Sequence, residues 1–112
     1  MRVLLVEDDP MIGEAIQGAL KDASYAADWV RDGQTALTTL GCQHYDLVLL
    51  DLNLPDGYGL DVLKKIREFS EVPVIVLSVK DKEADKIELL EGGADDYITK
   101  PFGMGELLAR IR

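Results

Sequence analysis

The chain has 112 residues, with 12 basic and 21 acidic side chains and a formal net charge of −9 at pH 7. Apolar residues make up 47% of it, which is typical of one small globular domain whose core needs no disulfide or structural metal. The single cysteine, Cys42, excludes an intramolecular disulfide and a cysteine-rich zinc site, and it favours a reducing, cytoplasmic location. The acidic balance argues against direct binding of nucleic-acid phosphates, and no segment resembles a signal peptide or a membrane span.

Five short apolar runs predict β-strands, each bounded by acidic residues, glycine or proline. In chain order they are Val3 to Val6, Tyr25 to Val30, Leu47 to Leu50, Val74 to Leu77 and the pair Tyr97-Ile98. Apolar residues at helical spacing predict helices between these strands and after the last one. The stripes run over Ile12 to Leu20, Ala36 to Leu40, Leu60 to Ile66, Ala84 to Leu90 and Leu107 to Ile111. Pro10 fits a first helical turn, Asp32-Gly33 a turn after the second strand, and Gly92-Gly93 the end of the fourth helix.

Strict alternation of strands and helices predicts an α/β fold, a doubly wound five-stranded parallel sheet with helices on both faces. The expected strand order is 2-1-3-4-5. The runs LLV, LVLL and VIVL are apolar at every position, as expected for strands that are buried on both sides. In such a sheet, functional groups gather beyond the carboxyl ends of the strands, where the strand order reverses.

Charged and polar side chains follow four of the predicted strands. They are, in chain order, Glu7, Asp8 and Asp9, then Asp51, then Ser78, then Lys100. Because the first and third strands are neighbours in this order, Asp8 and Asp51 should face each other across the crevice. Carboxylates crowded this closely need a compensating cation, and oxygen ligands suit Mg²⁺. Asp8 and Asp51 would be its ligands, with Glu7 or Asp9 acting through water.

This set of groups favours transfer of a phosphoryl group onto a carboxylate. An aspartate can serve as the nucleophile and form an aspartyl-phosphate. The transition state spreads charge over three equatorial oxygens, so catalysis is mainly positioning and charge neutralisation. We expect Mg²⁺, Lys100 and the Ser78 hydroxyl each to hold one of these oxygens.

Four segments, VEDD, LLDLNLPDGYGL, PVIVLS and GADDYITKPF, resemble the receiver domain of two-component response regulators, which has a CheY-like fold. The resemblance covers the whole chain in the right order. GADDYITKPF is similar to the OmpR/PhoB branch, whose members join a receiver to a winged-helix DNA-binding domain. The resemblance implies that residues 1–112 are a receiver domain and that a C-terminal DNA-binding domain lies outside this chain. The helical pattern still running at Arg112 fits that expectation.

The resemblance also implies how the site works. Asp51 would accept the phosphoryl group from a sensor histidine kinase, and the domain would catalyse only its own phosphorylation and dephosphorylation. The implied Mg²⁺ ligands are Asp8, Asp51 and the backbone carbonyl of Asn53, with Glu7 acting through water.

The resemblance assigns the remaining groups to signal transmission. Lys100 would pair with the phosphate, and the Lys100-Pro101 bond is expected to be cis. Ser78 would be the switch hydroxyl and Tyr97 the switch aromatic, which rotates inward after phosphorylation. Val79 departs from the small residue usual at its position, and its branched side chain is expected to narrow access to the phosphate.

The output surface is expected on the fourth helix, fifth strand and fifth helix, where phosphorylation would promote a two-fold symmetric homodimer that controls transcription. Its predicted members are Lys86, Ile87, Leu90, Glu91, Asp95, Asp96, Glu106, Leu108 and Arg110, with Arg112 at its edge. The implied ion pairs join Lys86 to Glu106 and Asp96 to Arg110.

Three alternatives stay open from the residues. A stand-alone receiver would regulate a partner protein by docking. A phosphatase of the haloacid-dehalogenase type also uses an Asp nucleophile with Mg²⁺, but its second Asp would fall on Asn53. A flavodoxin-like carrier needs a phosphate-binding loop where this chain has carboxylates. Trp29 is expected to pack, His44 to be solvated, and Cys42 to be at least half-buried.

Overall fold

A computed structural model of the chain describes residues 1–79 and 83–111. Five helices lie in this part: α1 (Pro10–Asp22), α2 (Gly33–Cys42), α3 (Gly59–Arg67), α4 (Glu83–Glu91) and α5 (Met104–Ile111). The strands are β1 (Arg2–Val6), β2 (Ala26–Val30), β3 (Leu47–Asp51), β4 (Asn53–Leu54), β5 (Gly57–Tyr58), β6 (Val74–Ser78) and β7 (Asp96–Thr99). The Ala84 side chain and Arg112, both used in the predictions above, lie outside the described residues.

Five parallel strands form the main sheet in the order β2-β1-β3-β6-β7. Since β6 and β7 are the fourth and fifth predicted strands, the predicted topology is confirmed. The boundary at Tyr25 was wrong by one residue. Ser24 has a positive φ of 71°, and the Tyr25 N–H donates to the Leu20 carbonyl at 2.9 Å, so Tyr25 closes the turn that follows α1 and lies outside β2.

Alternate residues of the central strands point to opposite faces of the sheet and build two cores. On one face, Leu4 and Val6 pack with residues of α2, α3 and α4. On the other face, Val3 and Leu5 pack with residues of α1 and α5. All four side chains are fully buried, as the uninterrupted apolar runs predicted. Helices therefore cover both faces of the sheet, and the ends of its strands are the places where polar side chains can form a site.

Aspartates cap the starts of two helices, and a glycine follows the end of a third. Asp9 caps α1 by accepting from the N–H groups of Met11 and Ile12, and Pro10 occupies the first helical position. Asp32 caps α2, so the predicted turn at Asp32-Gly33 is the start of that helix. Gly93, just beyond α4, has a φ of 111°, a conformation that favours glycine.

A small antiparallel hairpin, β4–β5, was not predicted. Its strands have only two residues each, too few for an apolar pattern, and the only local cue is the turn sequence Pro55-Asp56-Gly57. The Asp56 carboxylate accepts from the N–H groups of Gly33 and Gln34 at 2.9 Å each. These two bonds lower the pKa of Asp56 and fasten the hairpin to the start of α2.

Two further features concern the surface. Cys42 is exposed, so the expected burial of its thiol was wrong; it lies at the outer end of α2, beyond the residues that pack on the sheet. The His44 imidazole is 87% exposed, and the expectation that it is solvated is confirmed. Within residues 1–79 and 83–111, each helix is too short or too polar to cross a bilayer.

Candidate functional site

Three buried side chains in the described part of the chain are polar or charged, and all three lie at the carboxyl end of the sheet. Glu7 follows β1, Asp51 ends β3 and Ser78 ends β6, on three neighbouring strands. Their exposed fractions are 0%, 4% and 2%. Buried polar groups concentrated at one point of the sheet mark it as a candidate functional site.

Lys100 joins two of these groups from the far end of the chain. Its Nζ lies 3.0 Å from Glu7 Oε1 and 3.1 Å from Asp51 Oδ1. The Lys100 N–H donates to the Ser78 carbonyl at 2.6 Å, which continues the β6–β7 pairing past the end of β7. The Lys100-Pro101 peptide bond is cis. One ammonium group therefore faces two buried carboxylates.

The close carboxylates change the proton affinity of Glu7. Burial, followed by the hydrogen bond to Asp51, raises the pKa of Glu7 from 4.5 to about 7, although Lys100 partly offsets this. Burial also disfavours the Lys100 ammonium, but its hydrogen bond to Glu7 and the charge of Asp51 outweigh burial and raise the pKa of Lys100. Lys100 is thus a fixed cation, while Glu7 gives up its proton only as the pH approaches neutral.

The acidic loop, residues 7–9, directs its three carboxylates to different places. Glu7 points to Lys100, and its Oε2 accepts from the Asp8 N–H at 3.0 Å. The Asp9 carboxylate is used to cap α1, which leaves Glu7 as the better candidate for a water-mediated ligand. The Asp8 residue is exposed. The loop therefore presents the exposed Asp8 carboxylate beside the buried carboxyl groups of Glu7 and Asp51.

The donor chemistry of the site fits a magnesium ion. Glu7, Asp8 and Asp51 supply hard oxygen donors, and Lys100 is one positive charge against three carboxyl groups. Among the described residues, no cluster of three or more His, Cys, Asp or Glu side chains is arranged as a metal cage. Mg²⁺ does not need one, because it commonly uses one or two carboxylates and keeps several waters.

The tight turn after Asp51 depends on glycine. A Cβ on Gly59 would lie 2.5 Å from the Asp51 carbonyl oxygen and 2.7 Å from the Leu52 Cα, so no other residue fits there without displacing the strand end. The Gly59 N–H donates to the Leu52 carbonyl at 2.7 Å. Asn53, in the hairpin strand β4 just beyond, is exposed. Gly59 thus lets the start of α3 pack directly against the end of β3.

Comparison with known proteins identifies the family of the chain. The family model described as the response regulator receiver domain matches residues 3–112. The chain belongs to this family. Its curated relatives are regulators of the OmpR/PhoB type, so the predicted family and branch are confirmed. Receiver domains generally bind Mg²⁺ and interact with sensor histidine kinases.

Three similar proteins illustrate the family. The transcriptional regulatory protein DltR of Streptococcus agalactiae is 52% identical over 113 residues, which cover 100% of this chain and 50% of that protein. The BeF₃-activated N-terminal receiver domain of RstA from Klebsiella pneumoniae has a TM-score of 0.94 and 33% identity, with 100% and 96% of the two chains covered. The receiver domain of the sensor histidine kinase PA1611 from Pseudomonas aeruginosa, with a magnesium ion coordinated in its active-site cleft, has a TM-score of 0.89 and 33% identity, with 98% and 93% covered. The chain spans about half the length of the curated relatives it matches.

The two predicted switch residues lie on neighbouring strands of the receiver domain and differ in burial. Ser78 is buried at the end of β6, whereas Tyr97 is half-buried on the neighbouring strand β7. The Lys86 Nζ lies 5.0 Å from the centre of the Tyr97 ring, a cation–π contact. Val79 is 61% exposed and lines a groove together with Met11 and Lys100.

The predicted output surface of the receiver domain carries contacts within the chain. Arg110 Nη1 lies 3.0 Å from both carboxylate oxygens of Asp96, and its Nε lies 3.6 Å from Glu106. Asp95 instead faces α3: its carboxylate bonds Arg67 at 3.0 Å and accepts from the Val74 N–H at 2.8 Å. The Asp95 carboxylate therefore has a structural role, which its sequence position beside Asp96 did not indicate.

The apolar members of this surface fall into two groups. Ile87 and Leu90 of α4 are 46% and 45% exposed. Leu108 is half-buried and packs against the core on the α1 and α5 side of the sheet. Glu91, the last residue of α4, is exposed. The exposed apolar area thus lies mainly on α4.

Proposed function

We propose that this receiver domain accepts a phosphoryl group on Asp51 from a phosphohistidine of a sensor kinase. The observation that carries the proposal is the Asp51 carboxylate at the end of the central strand, 3.1 Å from the Lys100 ammonium. A carboxylate oxygen attacks phosphorus, the bond from phosphorus to the imidazole nitrogen breaks, and its electron pair stays with the imidazole. An aspartate carboxylate can act as such a nucleophile, and Asp51 lies at the open carboxyl end of the sheet, beside the ammonium group of Lys100.

A bound magnesium ion would neutralise charge on the phosphoryl oxygens. The residues that would hold it are Asp8, Asp51 and the backbone carbonyl of Asn53, with Glu7 acting through water. Lys100 is already directed at Asp51 and would meet a second phosphoryl oxygen, and the Ser78 hydroxyl a third. The chain's own contribution is positioning and charge complementarity, which is what phosphoryl transfer requires.

The direct test uses a small phosphodonor in place of the kinase. The domain is incubated with acetyl phosphate and Mg²⁺, and its intact mass is measured. We expect addition of one phosphoryl group, and no addition when the metal is chelated. A protein that stays unmodified with Mg²⁺ present contradicts the proposal.

Magnesium should stabilise the fold, and Asp8→Asn should remove that effect. A ligand that binds only the folded state adds about 2.7 kcal/mol when its concentration is roughly 100 times the dissociation constant. We expect Mg²⁺ to raise the melting temperature of the parent protein and to leave Asp8→Asn unchanged, as followed by circular dichroism. Asp22→Asn, an exposed aspartate at the end of α1, is the matched control and should respond like the parent. Equal Mg²⁺ responses of the two variants would exclude Asp8 as a ligand.

The phosphorylated domain is proposed to form a homodimer through α4, β7 and α5, and thereby to control transcription through an attached DNA-binding domain. Ile87 and Leu90 offer exposed apolar area at its centre. Arg110 and Asp96 are paired within one chain, and a two-fold interface would exchange these partners between protomers. Lys86 would likewise leave the Tyr97 ring and meet Glu106 of the other copy. Exposed pairs of this kind determine register more than affinity.

Arg110→Ala should weaken the dimer that forms with beryllofluoride, a mimic of the phosphoryl group. We expect the dimer dissociation constant to rise by up to about fivefold for each of the two symmetry-related pairs, since an exposed pair contributes up to about 1 kcal/mol. Sedimentation velocity with and without beryllofluoride measures it. Lys64→Ala, an exposed lysine on α3, is the control and should dimerise like the parent. A parent protein that sediments identically in both conditions would refute the dimer and leave phosphorylation untouched.

A further inference from the structure

Trp29, on the edge strand β2, contacts the acidic loop. Its indole Nε1 donates to the backbone carbonyl of Glu7 at 2.9 Å. The side chain is half-buried, and its residue type and place in the sequence predicted only packing. An indole N–H is a donor with a fixed direction, so this bond specifies where the Glu7 carbonyl lies.

Two neighbours hold the indole in place. In α1, a Cβ on Gly13 would overlap the indole ring, so the helix can approach Trp29 only because this position has no side chain. Glycine in a helix interior is less stable than alanine, so the close approach of α1 to Trp29 costs some helix stability. On the outer side, the Arg31 guanidinium lies 5.5 Å from the centre of the ring. Its Nη2 donates to the Asp8 carbonyl at 3.0 Å.

β2 and Arg31, the residue that follows it, therefore hold the backbone of the acidic loop at three points. The Glu7 N–H donates to the Val30 carbonyl at 3.1 Å, and the carbonyls of Glu7 and Asp8 accept from Trp29 and Arg31. With the backbone held from the β2 side, the Glu7 side chain is directed at Lys100 and Asp51. Rotation of either peptide group would move the Glu7 and Asp8 carboxylates relative to Asp51.

We propose that Trp29 is a positioning residue for the metal site, acting through its indole N–H on the Glu7 carbonyl. The inference rests on the proposed function, because it assigns Trp29 a role in presenting Glu7 and Asp8 to Mg²⁺. Removing a group that orients a metal ligand from outside the coordination sphere commonly weakens metal binding by roughly 10- to 100-fold. The Trp29 indole contacts the backbone of Glu7 and not its carboxylate, so we expect a loss of affinity at the lower end of that range.

The test compares variants that disturb this hydrogen bond by two routes. Trp29→Phe removes the donor and keeps an aromatic ring, while Gly13→Ala keeps the indole and displaces it. The control is Gln17→Ala, which removes another side-chain bond between α1 and β2, from Gln17 Nε2 to the Ala27 carbonyl at 3.1 Å, away from the loop. Mg²⁺ is titrated into each ¹⁵N-labelled protein, and the amide shifts of Asp8 and Asp51 give the dissociation constant.

We expect Mg²⁺ binding to weaken by roughly 10-fold in Trp29→Phe and Gly13→Ala and to stay unchanged in Gln17→Ala. Phosphorylation by acetyl phosphate should recover at saturating Mg²⁺, since the defect is one of metal affinity. Trp29 is the single tryptophan, so its indole N–H gives one resonance. In the parent, this proton should exchange slowly with solvent, and its resonance should shift when Mg²⁺ is added. Folded variants with parental Mg²⁺ affinity, or an equal loss in Gln17→Ala, would overturn the inference. A parent that binds no Mg²⁺ would instead refute the proposed function.

Discussion

Asp51→Asn should abolish phosphoryl uptake from acetyl phosphate completely. The carboxamide keeps the size of the side chain and a carbonyl oxygen, but it lacks the anionic oxygen that attacks phosphorus. Among the residues that the structure describes, Asp51 and Glu7 are the buried carboxylates in contact with Lys100, and Asp51 is the one at the end of the central strand. Intact-mass spectrometry after incubation with Mg²⁺ and acetyl phosphate measures the result.

Asp61→Asn is the matched control, because Asp61 is an exposed aspartate in the first turn of α3. It should be phosphorylated like the parent. Asp51→Asn should also be well folded, because the substitution keeps the size of the side chain and leaves the contact between Lys100 and Glu7 in place. A folded Asp51→Asn protein that still gains a phosphoryl group would place the acceptor elsewhere and refute the proposed mechanism.

Lys100→Met should destabilise the domain strongly above neutral pH. The Glu7 side chain is fully buried and the Asp51 side chain is 5% exposed, and Lys100 is the cation that lies between them. Removing one partner of a buried ion pair costs about 3 to 5 kcal/mol, because the remaining charge is left without compensation. Urea unfolding followed by circular dichroism measures the difference between variant and parent.

The loss should depend on pH in a specific direction. In the parent, the pKa of Glu7 is raised from 4.5 to about 7, so the folded state holds a proton that the unfolded chain releases. The stability contributed by Glu7 is therefore complete below pH 4.5 and is lost as the pH rises through about 7. Lys100 partly offsets the rise in this pKa, so without Lys100 the pKa of Glu7 moves higher still. The gap between variant and parent should be small in acid and widen above neutral pH.

Lys64→Met provides the control, since Lys64 is an exposed lysine of α3, and its unfolding curve should match that of the parent at each pH. If Lys100→Met fails to fold at neutral pH, unfolding in acid still tests the prediction, because Glu7 is protonated there. A loss of stability that is the same in acid and above neutral pH would show that the Lys100 stem, and not its charge, stabilises the site.

Both predictions come from one electrostatic arrangement. Burying charged side chains at one crevice costs free energy of folding, but it holds the functional groups of the site in position. Glu7 holds a proton there, and Lys100 is the local cation. A bound divalent cation would compensate the carboxylates more fully than Lys100 alone, and a phosphoryl group would give Lys100 a new anionic partner. Binding at the site should therefore change the stability of the folded domain.

The amino-acid pattern was sufficient to predict the topology and the centre of the site. Strands buried on both sides need apolar side chains at every position, and Val3 to Val6 and Val74 to Leu77 carry that signature. Topology alone then places the residues at the carboxyl ends of neighbouring parallel strands at one edge of the sheet, which is how Asp51 and Lys100 could be predicted together.

Tertiary contacts decided the partners of the polar side chains. Lys100 meets Glu7 across 93 positions of sequence, and the Trp29 indole meets the Glu7 carbonyl across 22. The pairing of Asp95 with Arg67, and the exposure of Cys42, likewise follow from the packing of elements that are distant in the chain. Periodicity reports which face of an element is buried, because burial depends on the average environment of that face. A hydrogen-bond partner depends on the position of one atom of another segment, and that is known only once the segments have packed.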